Sequence, residues 1–515
     1  MGPKLSSYVH GEWVEGRDSI PLYNPTTEEI VAQAGSEGVD FKACLDFARF
    51  KGNPALRALT FAQRGDLLAG LAGIVHKHRE ELIELSVSNG GNTRGDAKFD
   101  VDGAMGTLAH YGELGKKLGD RRTLLDGPQE QLGRNPRFAG QHVLTPFTGA
   151  AVHINAFNFP AWGFGEKAAS ALLAGMPIVV KPAASTCLVA HRLVRAIVES
   201  RILPEGALSL ICGGVGDLID HLTHQDVLSF TGSSRTALGL RTRKSVVRNS
   251  VRSNVEADSL NAAVLGPDVD RDSKTYDLFL LEVVREMTQK AGQKCTAVRR
   301  IFAPADRVER LKDDLAGQVR SVKVGNPALK EVRMGPLSTR QQLEDVRRGI
   351  ARLAECGEAI LGDGGRGTLV GVEDNKGYFV SPVLFFAANP EAAAIHAEEV
   401  FGPVQTLAPY SGKAEDAARL VSLGAGGLVA SVYTDDKDFA AEAVSRLAPC
   451  NGRIYLGGEK IADLSLGSGA VLPQLTHGGP GRAGGGQELG GLRGLEFYLQ
   501  RTAVQGLKPL LEKIL

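Results

Sequence analysis

Apolar residues recur along this chain in two alternating periods. Residues 8–14 alternate as a strand, and extension resumes at 30–32 after a turn at Asn24-Pro25-Thr26. From about 41 to 88 the spacing becomes helical, with Leu67, Leu68, Leu71, Ile74 and Val75 on one face, and a second helical run covers 98–117. Asp126-Gly127-Pro128 breaks that pattern, and 136–147 alternates as a hairpin arm. Short, largely apolar strands that read as buried then follow at 149–154, 177–180, 208–212 and 227–230, separated by helical runs at 167–174, 188–200 and 217–222. Strands buried on both faces and joined by helices predict a parallel, doubly wound sheet, whose ligands bind at the carboxyl ends of the strands. A second α/β unit follows. Its strands are expected at 262–265, 300–304, 378–386, 402–410 and 428–433, and its helices at 276–289, 305–320, 339–354, 414–422 and 437–447. The tail alternates over 495–504 as an added strand.

At 515 residues the chain exceeds what one hydrophobic core serves, which is about 250–300 residues. The pattern divides it into a Rossmann-like unit (1–126 with 148–262), a second α/β unit (263–480) and a small β appendage (127–147 with 495–515). Lys plus Arg equals Asp plus Glu, 59 each, so no basic excess points to nucleic acid or an anionic membrane. No apolar run has spanning length, and the N-terminus lacks an apolar signal core. The six cysteines are scattered without a Cys-x-x-Cys pair, which argues against a disulfide framework or a metal site and for a reducing, cytoplasmic setting.

The candidate chemistry centres on Ala291-Gly292-Gln293-Lys294-Cys295-Thr296-Ala297, one cysteine in a small-residue turn after a long helix. A thiolate there is a strong nucleophile, and nearby N–H groups or cations lower its pKa; the alternative is a small buried residue. Asn158, after a buried strand, can donate to an oxyanion or merely cap a turn. Glu256 precedes the strand at 262–265 and would serve as a general base with its pKa raised by burial, or face water. Lys181 ends a β-branched strand, where it reaches a ribose or phosphate or is simply solvated. Gly213-Gly214-Val215-Gly216 is a weak glycine turn, not a G-x-G-x-x-G.

Each signal is weak alone, but their order is specific. Gly292-Gln293-Lys294-Cys295, Asn158-Phe159-Pro160, Phe230-Thr231-Gly232-Ser233 and Glu399-Val400-Phe401-Gly402-Pro403 together resemble the aldehyde dehydrogenase superfamily over nearly the whole chain. The resemblance implies that Cys295 attacks an aldehyde, that Asn158 holds the oxyanion, and that Glu256 activates the water resolving the thioester. It implies a proton relay through Lys167 and Glu488. It also implies cofactor contacts from Ile154, Phe157, Lys181, Ala184, Ser185, Gly214, Thr231, Gly232, Ser233, Glu399 and Phe401. Where NAD-preferring members carry a glutamate three residues after the ribose lysine, this chain has Ala184, then Ser185 and Thr186. Losing that carboxylate removes repulsion of a 2′-phosphate, which favours NADP, with NAD as the alternative.

The family's Glu-Leu-Gly-Gly becomes Glu256-Ala257-Asp258-Ser259, and its Pro-Phe-Gly-Gly loop becomes Thr476-His477-Gly478-Gly479. These departures resemble a branch acting on semialdehydes linked to CoA thioesters in aerobic aromatic degradation. The substrate expected is therefore a CoA-linked aldehyde, and the assembly expected is a homodimer or dimer of dimers. A CoA-acylating aldehyde dehydrogenase and a non-redox cysteine thioesterase remain the alternatives.

Overall fold

The computed structural model describes residues 2–515. Two seven-stranded sheets carry the fold. The first runs, edge to edge, Arg252–Glu256, Val227–Thr231, Ala151–Ile154, Ile178–Lys181, Leu208–Leu210, Ser7–Val9 and Glu12–Val14. Its first five strands are parallel, and the N-terminal hairpin closes it antiparallel. Alternate side chains serve opposite cores. Ile178 and Val180 pack with Phe61, Leu68, Tyr111 and Leu172 on one face, and Val179 packs with Phe41, Leu45 and Phe230 on the other. Both sets are apolar, hence the unbroken apolar runs in the sequence.

The second sheet runs Glu358–Leu361, Val383–Phe386, Val404–Tyr410, Arg300–Pro304, Ala262–Leu265, Gly427–Tyr433 and Asn451–Gly457, parallel except for the first pair. A three-stranded antiparallel sheet joins Leu124–Gln131, Phe138–Pro146 and the tail strand Leu499–Leu507. Among the described residues, no helix is long and apolar enough to cross a membrane.

Several expected elements are redrawn. Asp126-Gly127-Pro128 lies inside a strand, because a register irregularity between Asp126 and Glu130 absorbs the proline and the left-handed Gly127. The helical stretch from 41 onward is cut at Thr60, whose side chain and that of Gln63 form a capping box starting Phe61–Lys77. The tail strand begins at Leu499, after a short helix Leu492–Glu496, and not at 495. Arg252–Glu256, Glu358–Leu361 and Asn451–Gly457 escaped the sequence pattern: as sheet edges they carry polar residues that mask the period.

The ribbon Thr476–Gly478 with Gln487–Leu489 is held by glycine contacts. A Cβ on Gly452 would lie 1.7 Å from the Gly478 carbonyl oxygen, and Cβ atoms on Gly484 and Gly486 would come within 2.4 and 2.3 Å of the Val255 oxygen. No side chain fits at any of the three.

Candidate active site

Register alone lines up the first part of the site. Glu256 pairs with Thr231, Phe230 with Ile154, and Ile154 with Lys181, so four adjacent strands end in a row of candidate residues. Against these ends lies a cavity of about 630 Å³. It is lined by Ile154, Phe157, Asn158, Lys181, Thr231, Gly232, Ser233, Glu256, Cys295, Glu399 and Phe401. Ala184, Ser185 and Gly214 lie off this lining. Ala184 and Ser185 sit in a short 3-10 turn after the Lys181 strand, and the Gly214 carbonyl accepts a hydrogen bond from Ser36 Oγ at 2.9 Å.

Cys295 reaches the cavity from the second sheet's side. The helix Lys274–Thr288 ends at Gln289, and Lys290, Ala291 and Gly292 then take three successive left-handed conformations. This turn is stiff, not flexible as its small residues suggest. Gln293 Nε2 donates to the Lys290 carbonyl at 3.0 Å, and Gln293 Oε1 accepts from the Ser338 N–H at 3.0 Å. A Cβ on Gly292 would sit 2.1 Å from the Gly402 oxygen, so the turn before Cys295 touches the Glu399–Pro403 loop backbone to backbone. Arg299 spans the two segments, donating to the Gly402 and Lys294 carbonyls at 3.0 and 3.2 Å. Beneath Cys295, the buried Lys294 Nζ meets Glu286 at 2.7 Å and Gln289 Oε1 at 2.8 Å. Asn261 Nδ2 donates to the Cys295 carbonyl at 2.7 Å. Asn158 Nδ2 donates to the Gln293 carbonyl at 3.0 Å, which leaves its second N–H for a ligand.

Burial, then the charge of Glu256, pushes the Cys295 thiol well above its ordinary pKa, the reverse of the sequence expectation. Glu256 also departs from expectation. Burial pushes its carboxyl up, but the charge and hydrogen bond of His477, with Lys167, outweigh that and hold it well below the usual range. His477 Nε2 lies 3.2 Å from Glu256 Oε1 and 3.9 Å from Cys295 Sγ. Burial would lower the His477 pKa, but Glu256, with Glu166 behind it, raises it.

Lys167 and Glu488 do meet, at 3.1 Å. Lys167 Nζ is wholly buried and also contacts Thr231 Oγ1 at 2.8 Å and Glu166 at 3.3 Å. Glu488 Oε1 accepts from Ser229 and Asn254 at 2.7 and 3.0 Å. Glu166, Glu256 and Glu488 bring carboxylate oxygens within 4.8 Å of one another. Sequence reasoning gave no role to His477 or Glu166. His477 was visible only as a departure in a glycine-rich loop, and Glu166 only as the neighbour of Lys167.

The cavity suits a dinucleotide on the observations above. It lies at the carboxyl ends of parallel strands, has room for one, and holds Lys181 at one strand end. It also holds the half-buried Glu399, whose carboxyl is pushed up to about 7 by desolvation despite Arg299. A smaller cavity adjoins it across Cys295, lined by Phe99, Asn158, Phe159, Trp162, Glu256, Thr296, Val471 and His477.

Comparison with known proteins agrees with this geometry. The family described as "Aldehyde dehydrogenase family" matches residues 13–504. A 3,4-dehydroadipyl-CoA semialdehyde dehydrogenase of Aromatoleum evansii is 45% identical over 479 residues, 93% of either chain. A lactaldehyde dehydrogenase of Escherichia coli is 26% identical over 96% of this chain and 97% of its own. The NAD+ complex of a Bacillus cereus aldehyde dehydrogenase superposes with a TM-score of 0.85 at 23% identity, covering 98% of this chain and 96% of that one. With this fold, this cysteine and this extent of similarity, the chain belongs to the aldehyde dehydrogenase family and is an NAD(P)-dependent oxidoreductase.

Proposed function

We propose that this enzyme oxidises a semialdehyde carried on a CoA thioester, of the 3,4-dehydroadipyl-CoA semialdehyde type, to the carboxylic acid in aromatic catabolism, with NADP preferred to NAD. The observation that carries the reading is the convergence of Asn158, Glu256 and Cys295 where the two cavities meet. The 45% identical relative of that name supports the substrate class. The aldehyde-side cavity supports it further. At about 40 Å³ and walled by Phe99, Phe159, Trp162 and Val471, it suits a slim, unbranched chain end.

Cys295 Sγ would form the bond to the aldehyde carbon, and the second Asn158 N–H with the Cys295 backbone N–H would hold the resulting oxyanion. When bound, NAD(P)+ supplies the hydride acceptor. Lys181, Glu399 and Phe401 would hold it, with Phe401 braced edge-on by Phe157 at 5.8 Å between ring centroids. Glu256 would direct the water that resolves the thioester, and the Lys167–Glu488 pair would carry its proton outward. Ala184, in place of a carboxylate, supports room for a 2′-phosphate.

The division into a Rossmann-like unit, a catalytic α/β unit and a β appendage belongs to the same reading. So does a homodimer or dimer of dimers built through the three-stranded sheet, whose Leu125, Phe138 and Leu507 are exposed. Six free cysteines support a cytoplasmic setting.

The test is kcat/KM for the CoA-linked semialdehyde against its free-acid counterpart, with NADP and NAD in parallel. The CoA-linked substrate with NADP should be the best combination by about tenfold or more, the worth of one extra hydrogen bond or so. Equal values for the two aldehydes would remove the CoA handle from the proposal.

A further inference from the structure

His477 occupies a position that neither the mechanism above nor the family resemblance uses. The short antiparallel ribbon sets it directly opposite Glu488, so both side chains leave the same face, toward the site. It is buried, and its Nε2 faces two reacting groups at once, Glu256 Oε1 at 3.2 Å and Cys295 Sγ at 3.9 Å. The three donor atoms of Glu256, Cys295 and His477 all lie within 4.8 Å of one another.

We propose that His477 is a catalytic residue: its Nε2 takes the proton of the Cys295 thiol as the sulfur becomes a nucleophile, and Glu256 holds the imidazolium that results. The inference rests on the proposed function only in taking Cys295 as the nucleophile. The S–H bond breaks, its proton moves to Nε2 and its electron pair stays on sulfur. That pair then forms the bond to the aldehyde carbon, while the carbonyl π pair moves onto the oxygen facing Asn158.

The other groups near Cys295 are poorer acceptors, including Glu166, which burial raises to about 7 but which is held by Lys167 at 3.3 Å and makes no hydrogen bond to Cys295 Sγ among the described residues. Lys167 is a cation already engaged by Glu488, Glu166 and Thr231. Arg453 donates to the Ser468 carbonyl at 2.7 Å, and a guanidinium accepts nothing. Glu399 lies on the cofactor side, where burial and Arg299 govern it. Glu256 is held in its charged form by His477 and Lys167, so a proton moving to it from a thiol held neutral by burial climbs steeply. The climb to His477 is shorter, because Glu256 and Glu166 raise its affinity for a proton while Arg453 opposes them only in part. Where a carboxylate holds one ring nitrogen and the nucleophile the other, the two contacts are separate; here Nε2 alone faces both groups, so the neutral imidazole accepts the thiol proton on Nε2 and then presents that proton to Glu256.

The test needs neither aldehyde nor cofactor. Iodoacetamide alkylation of Cys295, followed by mass spectrometry of its peptide from pH 5 to 10, is compared in the wild type, His477→Gln and His477→Phe. Wild-type reactivity should rise through the His477 titration, whose midpoint lies above the ordinary histidine value. In both variants the midpoint should move up by a unit or more, which is roughly tenfold slower alkylation at pH 7.5. The acid limb of the kcat/KM profile should move up by the same amount. Should His477→Phe fail to fold, His477→Gln decides, since it keeps a donor for Glu256 and cannot titrate. Superimposable profiles for wild type and His477→Gln would overturn the proposal. A wild-type Cys295 inert at every pH would overturn it together with the nucleophile assignment, whereas the CoA handle fails or survives independently in the substrate comparison.

Discussion

Lys294 and Glu286 form a buried ion pair beside Cys295, and its loss has a calculable cost. Lys294 and Glu286 are 0% and 2% exposed, and among the described residues Gln289 Oε1 is the only other hydrogen-bond acceptor on the lysine Nζ. Lys294→Met keeps the chain length and apolar contacts but leaves the Glu286 carboxylate buried without its cation. Stranding one member of a buried pair costs about 3–5 kcal/mol. For a cooperative unit of about 200 residues that lowers Tm by roughly 6–20 °C. Lys294→Met with Glu286→Met removes both charges and should recover at least half of the loss, because replacing a whole buried pair by apolar groups of similar volume is close to neutral. The assay is differential scanning fluorimetry of wild type, both single variants and the double variant at one protein concentration. A Lys294→Met enzyme as stable as wild type, or a double variant whose loss is the sum of the singles, would refute the reasoning. Activity should follow stability only loosely, since Lys294 acts on Cys295 through the backbone of the turn.

Three further outcomes are expected. Asn158→Ala should lower kcat by about 10²–10³ with the fold intact, as loss of one oxyanion donor does; stopped-flow and steady-state rates with an unchanged Tm would check it, and an unchanged kcat would remove Asn158 from the oxyanion site. Ala184→Glu should weaken NADP more than NAD in fluorescence titrations if its longer side chain extends past Ala183 toward a 2′-phosphate; an unchanged NADP-to-NAD ratio would show that position 184 does not set the preference. Burial pushes Glu166 up to about 7, Lys167 opposes this, and Glu488 and Glu256 add to it. Its folded pKa thus lies above its unfolded one, so wild-type stability from this group is present below about 4.5 and is lost as pH rises through 7, at about 1.4 kcal/mol per unit. The Tm of Glu166→Gln relative to wild type should therefore climb between pH 5 and 8, and a difference constant with pH would contradict it.

Cys295 and Asn158 were legible as candidates because each sits in a short motif, and Glu256 because a carboxylate stands just before a buried strand, although the three residues after it depart from the family pattern. Lys181 and Thr231 were legible for a related reason: each ends an apolar strand, and strand ends in parallel sheets are where ligands lie. The electrostatics were not legible. Glu256 was expected to be raised by burial, and burial does act that way, but the opposing influence comes from His477, 221 residues further along the chain on a three-residue strand too short for any period to reveal. The stiffness of the turn before Cys295 was equally hidden. Small residues suggest freedom, whereas Gly292 is small because the Gly402 carbonyl fills the space a side chain would need. The appendage strand at Asp126–Pro128 failed for the opposite reason, a bulge tolerating what the pattern forbids.

The glycine contacts around the His477 ribbon bear on how this enzyme can change over generations. With Gly452, Gly484 and Gly486 pressed against neighbouring backbone oxygens, almost any random replacement there displaces main chain, not side chain. Selection for a new aldehyde therefore has little room to work in this segment. Variation that alters substrate range while sparing the fold is steered instead to the aldehyde-side wall, where Phe99, Phe159 and Val471 are only partly buried and can change volume one at a time.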